Sequence, residues 1–278
     1  MSKAVLITGA STGIGLHLAQ QIAKEGRFKV FAGVRKAEDE KKIINLKIEN
    51  LFPILIDVKN QNSISKCAEK LKGENLTALI NNAGIAVACP LEFIPIEEFE
   101  DQLDVNVVGL LRVTQACIPL LRETEGRIIN IGSISGKVTT PLVGAYAASK
   151  HAVEAMSDAF RRELRSSGIH VSLIEPGMVQ TPIWDKSKDR AFVLLDKISK
   201  HAQDIYRPMV DKLIKNLEVS LKSAAQPEDV YKVVKHALES PNPRSRYLVG
   251  RDAKIANVVR HLPDLWLDRL IAKMGAAR

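Results

Sequence analysis

Tyr146 and Lys150, near the middle of the chain, have the side-chain types that proton transfer requires. They are four residues apart in a segment whose apolar spacing is helical, so both should lie on one face of a helix. A free tyrosine ionises near pH ~10, and an adjacent ammonium group lowers its pKa by stabilising the phenolate. The pair could therefore act as acid or base near neutral pH, whereas a Tyr-x-x-x-Lys pair taken alone is usually an exposed helix face.

The first apolar run of the chain is followed directly by a glycine-rich turn, residues 8–15, which opens a helical pattern. Glycines in such a turn let backbone N–H groups approach a pyrophosphate at the positive end of the helix. The spacing differs from Gly-x-Gly-x-x-Gly because three residues separate Gly9 from Gly13, and no P-loop Gly-Lys-Ser/Thr follows. The turn predicts a dinucleotide site, and a turn without a ligand is the alternative.

The end of the predicted second strand, Gly33-Val34-Arg35-Lys36, bears on which dinucleotide would bind. NAD-binding proteins usually place an acidic residue about 20 residues after the glycines, where it holds the ribose 2′-hydroxyl. Here Arg35 occupies the tip, and its planar guanidinium can pair with a 2′-phosphate. The first carboxylate, Glu38, is expected in the next helix. The sequence therefore favours NADP(H); NAD(H), with Arg35 as a plain surface residue, is the alternative.

Short apolar segments alternate with longer helical patterns, which is typical of βαβ units and of a parallel sheet covered on both faces. The predicted strands are 3–8, 28–34, 51–56, 78–81, 127–131, 170–174 and 246–249. The predicted helices are 14–25, 38–46, 63–71, 97–122, 145–166 and one opened by Gln226-Pro227-Glu228-Asp229. We expect a single α/β domain over residues 1–278: a Rossmann-type doubly wound parallel sheet of about seven strands, with a helical substrate lid at about 184–223 and a helical tail at about 252–278.

Composition and charge narrow the functional classes. The 278 residues include 40 Lys+Arg and 32 Asp+Glu, and the net charge of +8 suits anionic ligands. Basic residues are scattered without interleaved aromatics, so nucleic acid is not an expected partner. The apolar runs are shorter than the ~18 residues that cross a bilayer, so we expect no spanning helix. Cys67, Cys89 and Cys117 have neither paired nor metal-ligand spacing, which favours a cytoplasmic location and no metal site.

Six motifs follow one another along the first two-thirds of the chain. They are the glycine turn, Asn81-Asn82-Ala83-Gly84, Asn106 in the long predicted helix, Ser133, the Tyr146/Lys150 pair and Pro176-Gly177. Together they resemble the short-chain dehydrogenase/reductase family, and the resemblance runs from Lys3 to about Thr181. Within the family, residues 13–19, 34–35 and 172–177 look most like the hydroxysteroid and retinol dehydrogenase branch and its bacterial relatives.

The resemblance implies roles for individual residues. Tyr146 would exchange a proton with the substrate oxygen, and Ser133 would stabilise charge on that oxygen. Lys150 would lower the pKa of Tyr146 and hold the nicotinamide ribose, and Asn106 would position a water of the proton relay. The implied cofactor site comprises Gly9, Ser11, Thr12, Gly13, Ile14, Gly15, Arg35, Asp57, Val58, Asn82, Ala83, Gly84, Tyr146, Lys150, Pro176, Gly177, Val179 and Thr181. Asp57 could instead cap a helix, and Thr181 could instead open a turn before Pro182.

The activity implied by the resemblance is hydride transfer between NADP(H) and an alcohol/ketone or aldehyde. Apolar residues near the motifs predict a lipophilic substrate, such as a steroid, retinoid or long-chain aldehyde. The expected substrate contacts are Ser133, Leu142, Val143, Tyr146, Met178 and Trp184, for each of which a core role is the alternative. The nearest alternative activity is a 3-oxoacyl-thioester reductase, whose acidic carrier protein or coenzyme A would suit the basic surface.

Two further alternatives belong to other classes. One is a non-catalytic NADP(H) sensor or scaffold, because a fold alone does not fix a function. The other is a nucleotide-sugar epimerase, which the glycine spacing and the small region left for a sugar-binding domain disfavour.

The C-terminal segment 262–274 is amphipathic and contains Trp266 beside cationic residues. Asp264 and Asp268 dilute its positive face, so packing on the protein body or on a second subunit is favoured over a membrane-surface helix. The long helices 97–122 and 145–166 correspond to the family's usual dimer surface, and the resemblance therefore implies a homodimer or homotetramer.

Overall fold

A seven-stranded parallel sheet forms the centre of the protein in the computed structural model, which describes residues 2–274. The strands within this range are β1 (Lys3–Ile7), β2 (Phe28–Val34), β3 (Leu51–Leu55), β4 (Leu76–Asn81), β5 (Arg127–Ile131), β6 (His170–Pro176) and β7 (Arg246–Val249). They lie in the order β3-β2-β1-β4-β5-β6-β7, and the paired neighbours are all parallel. The order reverses between β1 and β4, where doubly wound sheets form their ligand crevice. The predicted fold is confirmed.

Helices cover both faces of this sheet. Within the described residues they are α1 (Gly13–Lys24), α2 (Ala37–Asn45), α3 (Gln61–Leu71), α4 (Ile96–Leu103), α5 (Gly109–Glu123), α6 (Gly144–Glu163), α7 (Ile183–Leu195), α8 (Lys200–Lys222), α9 (Pro227–Glu239), α10 (Arg251–Val259) and α11 (Asp264–Met274). Leu18 of α1 and Val230 of α9 are buried in the core on one face. Ile64, Val113 and Val153, from α3, α5 and α6, are buried on the other. Each such side chain contributes ~1.5–3 kcal/mol by leaving water.

Local sequence signals explain where several helices begin. α9 starts with Pro227 and a capping box between Gln226 and Asp229, as its sequence predicts. The α3 N-terminus is capped by the Asn60 side chain, which accepts a hydrogen bond from the Ser63 N–H at 2.9 Å. Asp57 is therefore not the cap of α3, and the alternative role considered for it does not apply.

Two elements differ from the sequence expectation. The long helix is interrupted by one π-helical turn, Asp104–Val108, between α4 and α5. Strand β6 runs on through Glu175 to Pro176, whereas the apolar pattern ended it at Ile174. The pattern misses this extension because Glu175 is charged but completely buried, and Lys137 pairs with its carboxyl group.

The helical stretch Ile96–Glu123 bears on the expectation that no helix could span a membrane. It is 28 residues long and contains an 18-residue window with a mean hydropathy of 1.3, so by length and composition alone it could do so. The sequence expectation counted only uninterrupted apolar runs, and this helical stretch joins several short runs. In the fold, however, it supplies core residues such as Leu121 and packs against β4, as a core helix does.

The predicted lid and tail are both helical. The lid consists of α7 and α8, and Leu194 of α7 packs against Val87 and Cys89. The tail begins at α10, whose Asp252 accepts a hydrogen bond from the Met178 N–H at 2.6 Å. In contrast, α11 exposes Trp266, at 65% of its surface, while Leu267, Leu270 and Ile271 on the same helix are half-buried. The end of the predicted tail, 275–278, lies outside the described residues.

A buried polar network ties the sheet to the helices on one face. The Asn81 amide donates to Thr114 Oγ1 and to Asn130 Oδ1, at 2.9 Å each, and the Asn130 amide donates to Ser157 Oγ at 2.9 Å. Asn130 is completely buried.

Replacing Asn130 with Ala should lower the free energy of unfolding, since buried partners lose their hydrogen bonds. The expected loss is about 1–3 kcal/mol, measured by urea denaturation. The exposed Asn242, replaced with Ala in the same way, should change stability by less than about 0.5 kcal/mol. Equal midpoints for the two variants would show that the network does not stabilise the sheet.

Candidate active site

The glycine turn has the backbone that an anion-binding site requires. Gly9 and Gly13 have φ angles of 66° and 58°, which strain any other residue. A Cβ atom on Gly9 would lie 2.7 Å from the Ala83 Cα, so the close approach of the two loops also requires glycine there. The N-cap residue Thr12 makes no side-chain capping hydrogen bond, and α1 has no acidic residue in its first turn. The helix N-terminus therefore faces the cleft able to bind a pyrophosphate.

Gly15 and Asn82 hold the glycine turn in place against the neighbouring loop. A Cβ atom on Gly15 would lie 2.3 Å from Asn82 Nδ2, so this glycine permits close packing behind the turn. The Asn82 amide donates to the Thr8 and Gly9 carbonyl oxygens at 3.0 Å each, which fixes the turn against β4. Gly15 does not line the cleft, whereas Asn82 does.

Ser133, Tyr146 and Lys150 come together at the carboxyl end of β5. All three line the cleft, and each is only 8% exposed. The Ser133 hydroxyl accepts a hydrogen bond from the Ser135 N–H at 3.1 Å and is hydrogen-bonded to the Tyr146 hydroxyl. Because the Ser133 oxygen already accepts from Ser135, its own proton is available for donation toward Tyr146 or a substrate oxygen.

Lys150 lies next to Tyr146 on one face of α6, as the spacing predicts. Its Nζ donates to the Ile131 carbonyl oxygen at 2.8 Å and lies 5.7 Å from the centre of the Tyr146 ring. Burial lowers the pKa of Lys150 to about 8. Burial raises the pKa of Tyr146 above its ordinary value, and the Ser133 hydrogen bond opposes that rise.

Loss of solvent is the largest effect on the Tyr146 phenol in this arrangement, and the nearby ammonium group of Lys150 donates to a main-chain carbonyl. The lowering of the Tyr146 pKa by Lys150 that the resemblance implies stays a prediction. A tyrosine in this environment holds its proton at neutral pH and can donate it.

Asn106 lies in the π-helical turn, behind the cleft rather than in its wall. Its Oδ1 accepts from the Ile85 N–H at 2.9 Å. Its amide donates to the Ile85 carbonyl oxygen and to Ser149 Oγ, at 3.0 Å each. These contacts fix the loop after β4 and occupy both amide protons, so they give no support to the water-positioning role that the resemblance implies.

A cleft of about 600 Å³ extends from Ser133, Tyr146 and Lys150 along the carboxyl edge of the sheet. The other predicted cofactor residues that line it are Gly9, Ser11, Thr12, Gly13, Ile14, Arg35, Asp57, Val58, Ala83, Gly84, Pro176, Gly177, Val179 and Thr181. The small side chains on both walls leave room for a dinucleotide, and the residues present fit one. A Cβ atom on Gly13 would lie 3.4 Å from the Thr181 Cβ, which places Thr181 next to the glycine turn.

Basic residues gather at the far end of the cleft. Arg35 is exposed there, and its guanidinium makes no hydrogen bond or ion pair with any described residue. Lys36, Lys42 and Lys59 also line this end and were not predicted from the sequence. In the sequence, only the pair Arg35-Lys36 at the end of β2 indicated a basic site. Lys42 and Lys59 come from other segments, which the fold brings to the cleft.

The lid is fastened across the cleft by charged side chains. Arg190 of α7 pairs with Glu98 and, at 3.1 Å, with Asp101 of α4. Asp101 also pairs at 2.7 Å with Lys59, which lies in the loop between β3 and α3. Lys186 and Arg190 line the cleft, and sequence reasoning missed both because the lid lies outside the family motifs.

The predicted substrate residues are only partly brought together. Trp184 lines the cleft, and its indole N–H donates to the Val179 carbonyl oxygen at 3.0 Å. Leu142 is buried, and its carbonyl oxygen accepts from the Cys89 N–H at 2.7 Å. Val143 forms the N-cap of α6, and Met178 lies behind the cleft wall against Asp252. These three do not line the cleft.

With the geometry in place, comparison with known proteins defines the class. The sequence profile of the short chain dehydrogenase family matches residues 3–191, which is more than half of the chain. The chain therefore belongs to the short-chain dehydrogenase/reductase family of oxidoreductases.

Relatives of this chain come from bacteria and animals. The 3-amino-tetrahydro-pyrrolizinone reductase of Xenorhabdus hominickii is 37% identical over 91% of this chain and 88% of the relative. The NADPH-dependent 3-dehydrocapnine reductase of Ornithobacterium rhinotracheale is 33% identical over 96% and 95%. Retinol dehydrogenase 7 of Mus musculus is 32% identical over 97% and 87%. The predicted resemblance to the retinol dehydrogenase branch and bacterial relatives is thus confirmed.

Solved structures share the fold over nearly the whole chain. A short chain dehydrogenase from Burkholderia cenocepacia, crystallised in complex with NADP, is 26% identical with a TM-score of 0.73, covering 97% of each chain. An actinorhodin polyketide ketoreductase with NADPH is 25% identical with a TM-score of 0.74, covering 92% of this chain and 98% of that one.

The lowered pKa of Lys150 predicts an alkaline limit to activity. The ammonium charge is present below pH 8 and is lost as pH rises through about 8, while Tyr146 keeps its proton. Carbonyl reduction should therefore fall above about pH 8, measured as kcat/KM against pH. In a Lys150→Arg variant this alkaline limb should disappear, because the arginine stays charged at that pH. An unchanged limb in the variant would assign the limb to another group.

Proposed function

We propose that this protein is an NADP(H)-dependent oxidoreductase that interconverts a lipophilic alcohol and its ketone or aldehyde. The observation that carries the proposal is the group of Ser133, Tyr146 and Lys150 in one wall of a cleft whose glycine turn fits a dinucleotide. The NADPH or NADP named for the Ornithobacterium relative and the two solved structures supports the choice of cofactor.

The residues at the cleft would divide the chemistry of reduction between them. When bound, the cofactor supplies the hydride. The Tyr146 hydroxyl donates its proton to the substrate oxygen as negative charge develops there, and Ser133 donates a hydrogen bond to the same oxygen. Lys150 holds a positive charge beside Tyr146 and so stabilises the phenolate that proton donation leaves. The narrow, buried geometry excludes bulk water and strengthens each of these interactions.

The choice of NADP(H) over NAD(H) rests on the basic end of the cleft. Arg35 is unpaired among the described residues, and Lys36 lies beside it. Glu38 and Asp39 also line the cleft, and Lys42 pairs with Asp39 at 2.8 Å, so the carboxylates there are outnumbered by Arg35, Lys36, Lys42 and Lys59.

A lipophilic substrate suits the apolar contacts between the lid and the loop after β4. Val87, Cys89 and Leu194 form a buried apolar cluster there, packed with Ile85 and Ile94. Retinol, in the name of the mouse relative, is an apolar alcohol of the proposed class. The polyketide ketoreductase likeness supports a 3-oxoacyl thioester as the second candidate, and the basic surface fits its acidic carrier.

The proposal also covers the oligomeric state of the protein and its location in the cell. We expect a homodimer or homotetramer built on the helical segments 97–122 and 145–166, since Val108 in the first of them is an exposed apolar residue. A cytoplasmic location agrees with the three cysteines, all of which are free and buried.

The central test is turnover by purified protein with NADPH and a panel of carbonyl compounds. The panel contains long-chain aldehydes, apolar cyclic ketones and 3-oxoacyl thioesters. Tyr146→Phe removes the proton donor while keeping the ring, so kcat should fall by about 10²–10⁴-fold. Tyr231→Phe is the matched control, because Tyr231 lies on α9 outside the cleft and bonds Glu25.

Each outcome of the panel has a meaning. Turnover of aldehydes or ketones that Tyr146→Phe abolishes and Tyr231→Phe spares supports the proposal. Preference for the thioesters would replace it with the second candidate. Tight NADPH binding without turnover of any compound would favour a sensor.

Arg35→Glu tests the cofactor choice separately. The substitution places a carboxylate where a 2′-phosphate would bind, so the Kd for NADPH should rise by roughly 10–100-fold, while the Kd for NADH stays the same or falls. The measurement is a fluorescence titration with each dinucleotide, and Arg165→Glu, at an exposed site away from the cleft, is the control. Equal losses for both dinucleotides would refute phosphate recognition by Arg35.

A further inference from the structure

A buried cluster of charged side chains lies behind the catalytic group and does not line the cleft. Glu175, at the end of β6, is completely buried. It pairs with Lys137, whose side chain is 8% exposed. Glu154 of α6 has a side-chain exposure of 14% and pairs with Arg246 of β7. Nothing in the proposed reaction uses these four groups.

The outer half of the cluster is an ordinary ion-pair network. Arg246 donates from Nε and Nη2 to Glu154 Oε2, at 3.2 and 3.0 Å, and from Nη1 to Asp158 at 3.0 Å. Arg161 and Arg162 also pair with Asp158, at 3.1 and 3.2 Å.

The inner half contains two carboxyl groups in contact. The carboxyl groups of Glu154 and Glu175 lie within hydrogen-bond reach of each other. Among the described residues, Glu154 Oε1 and both Glu175 oxygens are buried and have no hydrogen-bond partner, although Lys137 forms an ion pair with Glu175. Two ionised carboxylates have no donor between them, whereas a proton on one of them supplies the missing donor.

Burial and the neighbouring charges act on the pair in opposite directions. Lys137 and Arg246 face it with two positive charges that favour ionisation, and Asp158, beyond Arg246, adds a negative charge. If both glutamates were ionised, two negative charges would lie within hydrogen-bond reach inside the protein, which is unfavourable. Burial and the neighbouring Glu175 raise the pKa of Glu154 to about 7, against the opposing effects of Arg246 and Lys137.

The cluster connects the segments that carry the catalytic residues. Lys137 directly follows the short 3₁₀ turn Ile134–Gly136 that Ser133 caps, and its Nζ donates to Asn257 of α10 at 3.3 Å. Glu154 is one helical turn after Lys150 on α6. A Cβ atom on Gly136 would lie 2.8 Å from the Lys150 carbonyl oxygen and 3.1 Å from Glu154 Cγ, so the turn and the helix touch at this point.

We propose that Glu154 and Glu175 share one proton, and that this pair, with Lys137, holds the Ser133 turn against the helix that carries Tyr146 and Lys150. Both glutamates are positioning residues, since neither lines the cleft. When the pair is deprotonated, the proton goes to solvent and the two carboxylates repel each other. The catalytic consequence rests on the proposed function, whereas the shared proton does not.

The direction of the pH effect follows from the raised pKa. The folded protein binds this proton up to about pH 7, whereas an ordinary glutamate releases it near 4.5. The pair's contribution to stability is therefore present below the ordinary value and is lost as pH rises toward the folded-state value. Glu154→Gln replaces the protonated carboxyl with an amide that donates to Glu175 at every pH, so it should remove this loss.

Three readouts test the proposal on the full chain. Infrared spectroscopy should find the carbonyl stretch of a protonated carboxyl in the wild type below pH 7, fading as pH rises, and Glu154→Gln should lack it. The melting temperature of Glu154→Gln should fall less than that of the wild type as pH rises from about 5 to 8. In kcat against pH, the wild type should lose activity near pH 7, a step that Glu154→Gln should lack. Glu163→Gln, at an exposed position on the same helix, should match the wild type throughout.

The outcomes separate this proposal from the proposed function. A protonated-carboxyl band in a protein that turns over no substrate would support the shared proton and refute the enzyme assignment. Absence of the band in the wild type would overturn the proposal of a shared proton. Because this titration uses the wild-type protein, its result does not depend on whether a variant folds. A band without any difference in the kcat profiles would overturn the positioning role.

Discussion

The hydrogen bonds of Thr8 between the ends of β1 and β4 are the constraint on which the cleft depends. Its hydroxyl accepts from the Asn82 and Ala83 N–H groups at 3.0 and 3.1 Å, at the point where the strand order reverses. Asn82 returns two hydrogen bonds to the glycine turn. This exchange joins the glycine turn to the loop after β4, and residues of both loops line the cleft.

Burial then determines how the chemical groups behave. Removal of solvent raises the pKa of Tyr146 and lowers that of Lys150, so both shifts favour the less charged state. A protonated tyrosine next to a lysine of moderate pKa is suited to donating a proton to a carbonyl oxygen. Deeper in the protein, the same loss of solvent makes a second carboxylate beside Glu175 unfavourable. The protonation of Tyr146 and Lys150 and that of the glutamate pair thus depend on the same loss of solvent.

The strand and helix pattern allowed most of the fold to be predicted, because apolar periodicity reflects which faces are buried. Six ordered motifs also located Ser133, Tyr146 and Lys150 and the glycine turn. Prediction failed where tertiary contacts override local signals. Glu175 continues β6 because Lys137 pairs with it, and Lys42, Lys59, Lys186 and Arg190 reach the cleft from distant segments. Leu142 and Met178 were predicted at the substrate, yet main-chain hydrogen bonds hold them behind the wall.

The source of the transferred hydrogen tests the central claim most directly. Wild-type protein would be given NADPH deuterated at the transferring C4 position together with an aldehyde or ketone that it reduces, and the alcohol product analysed by mass spectrometry. The account predicts one deuterium on the former carbonyl carbon of each product molecule. Product without deuterium, formed at the same rate in Tyr146→Phe, would contradict both hydride transfer from the nicotinamide and proton donation by Tyr146.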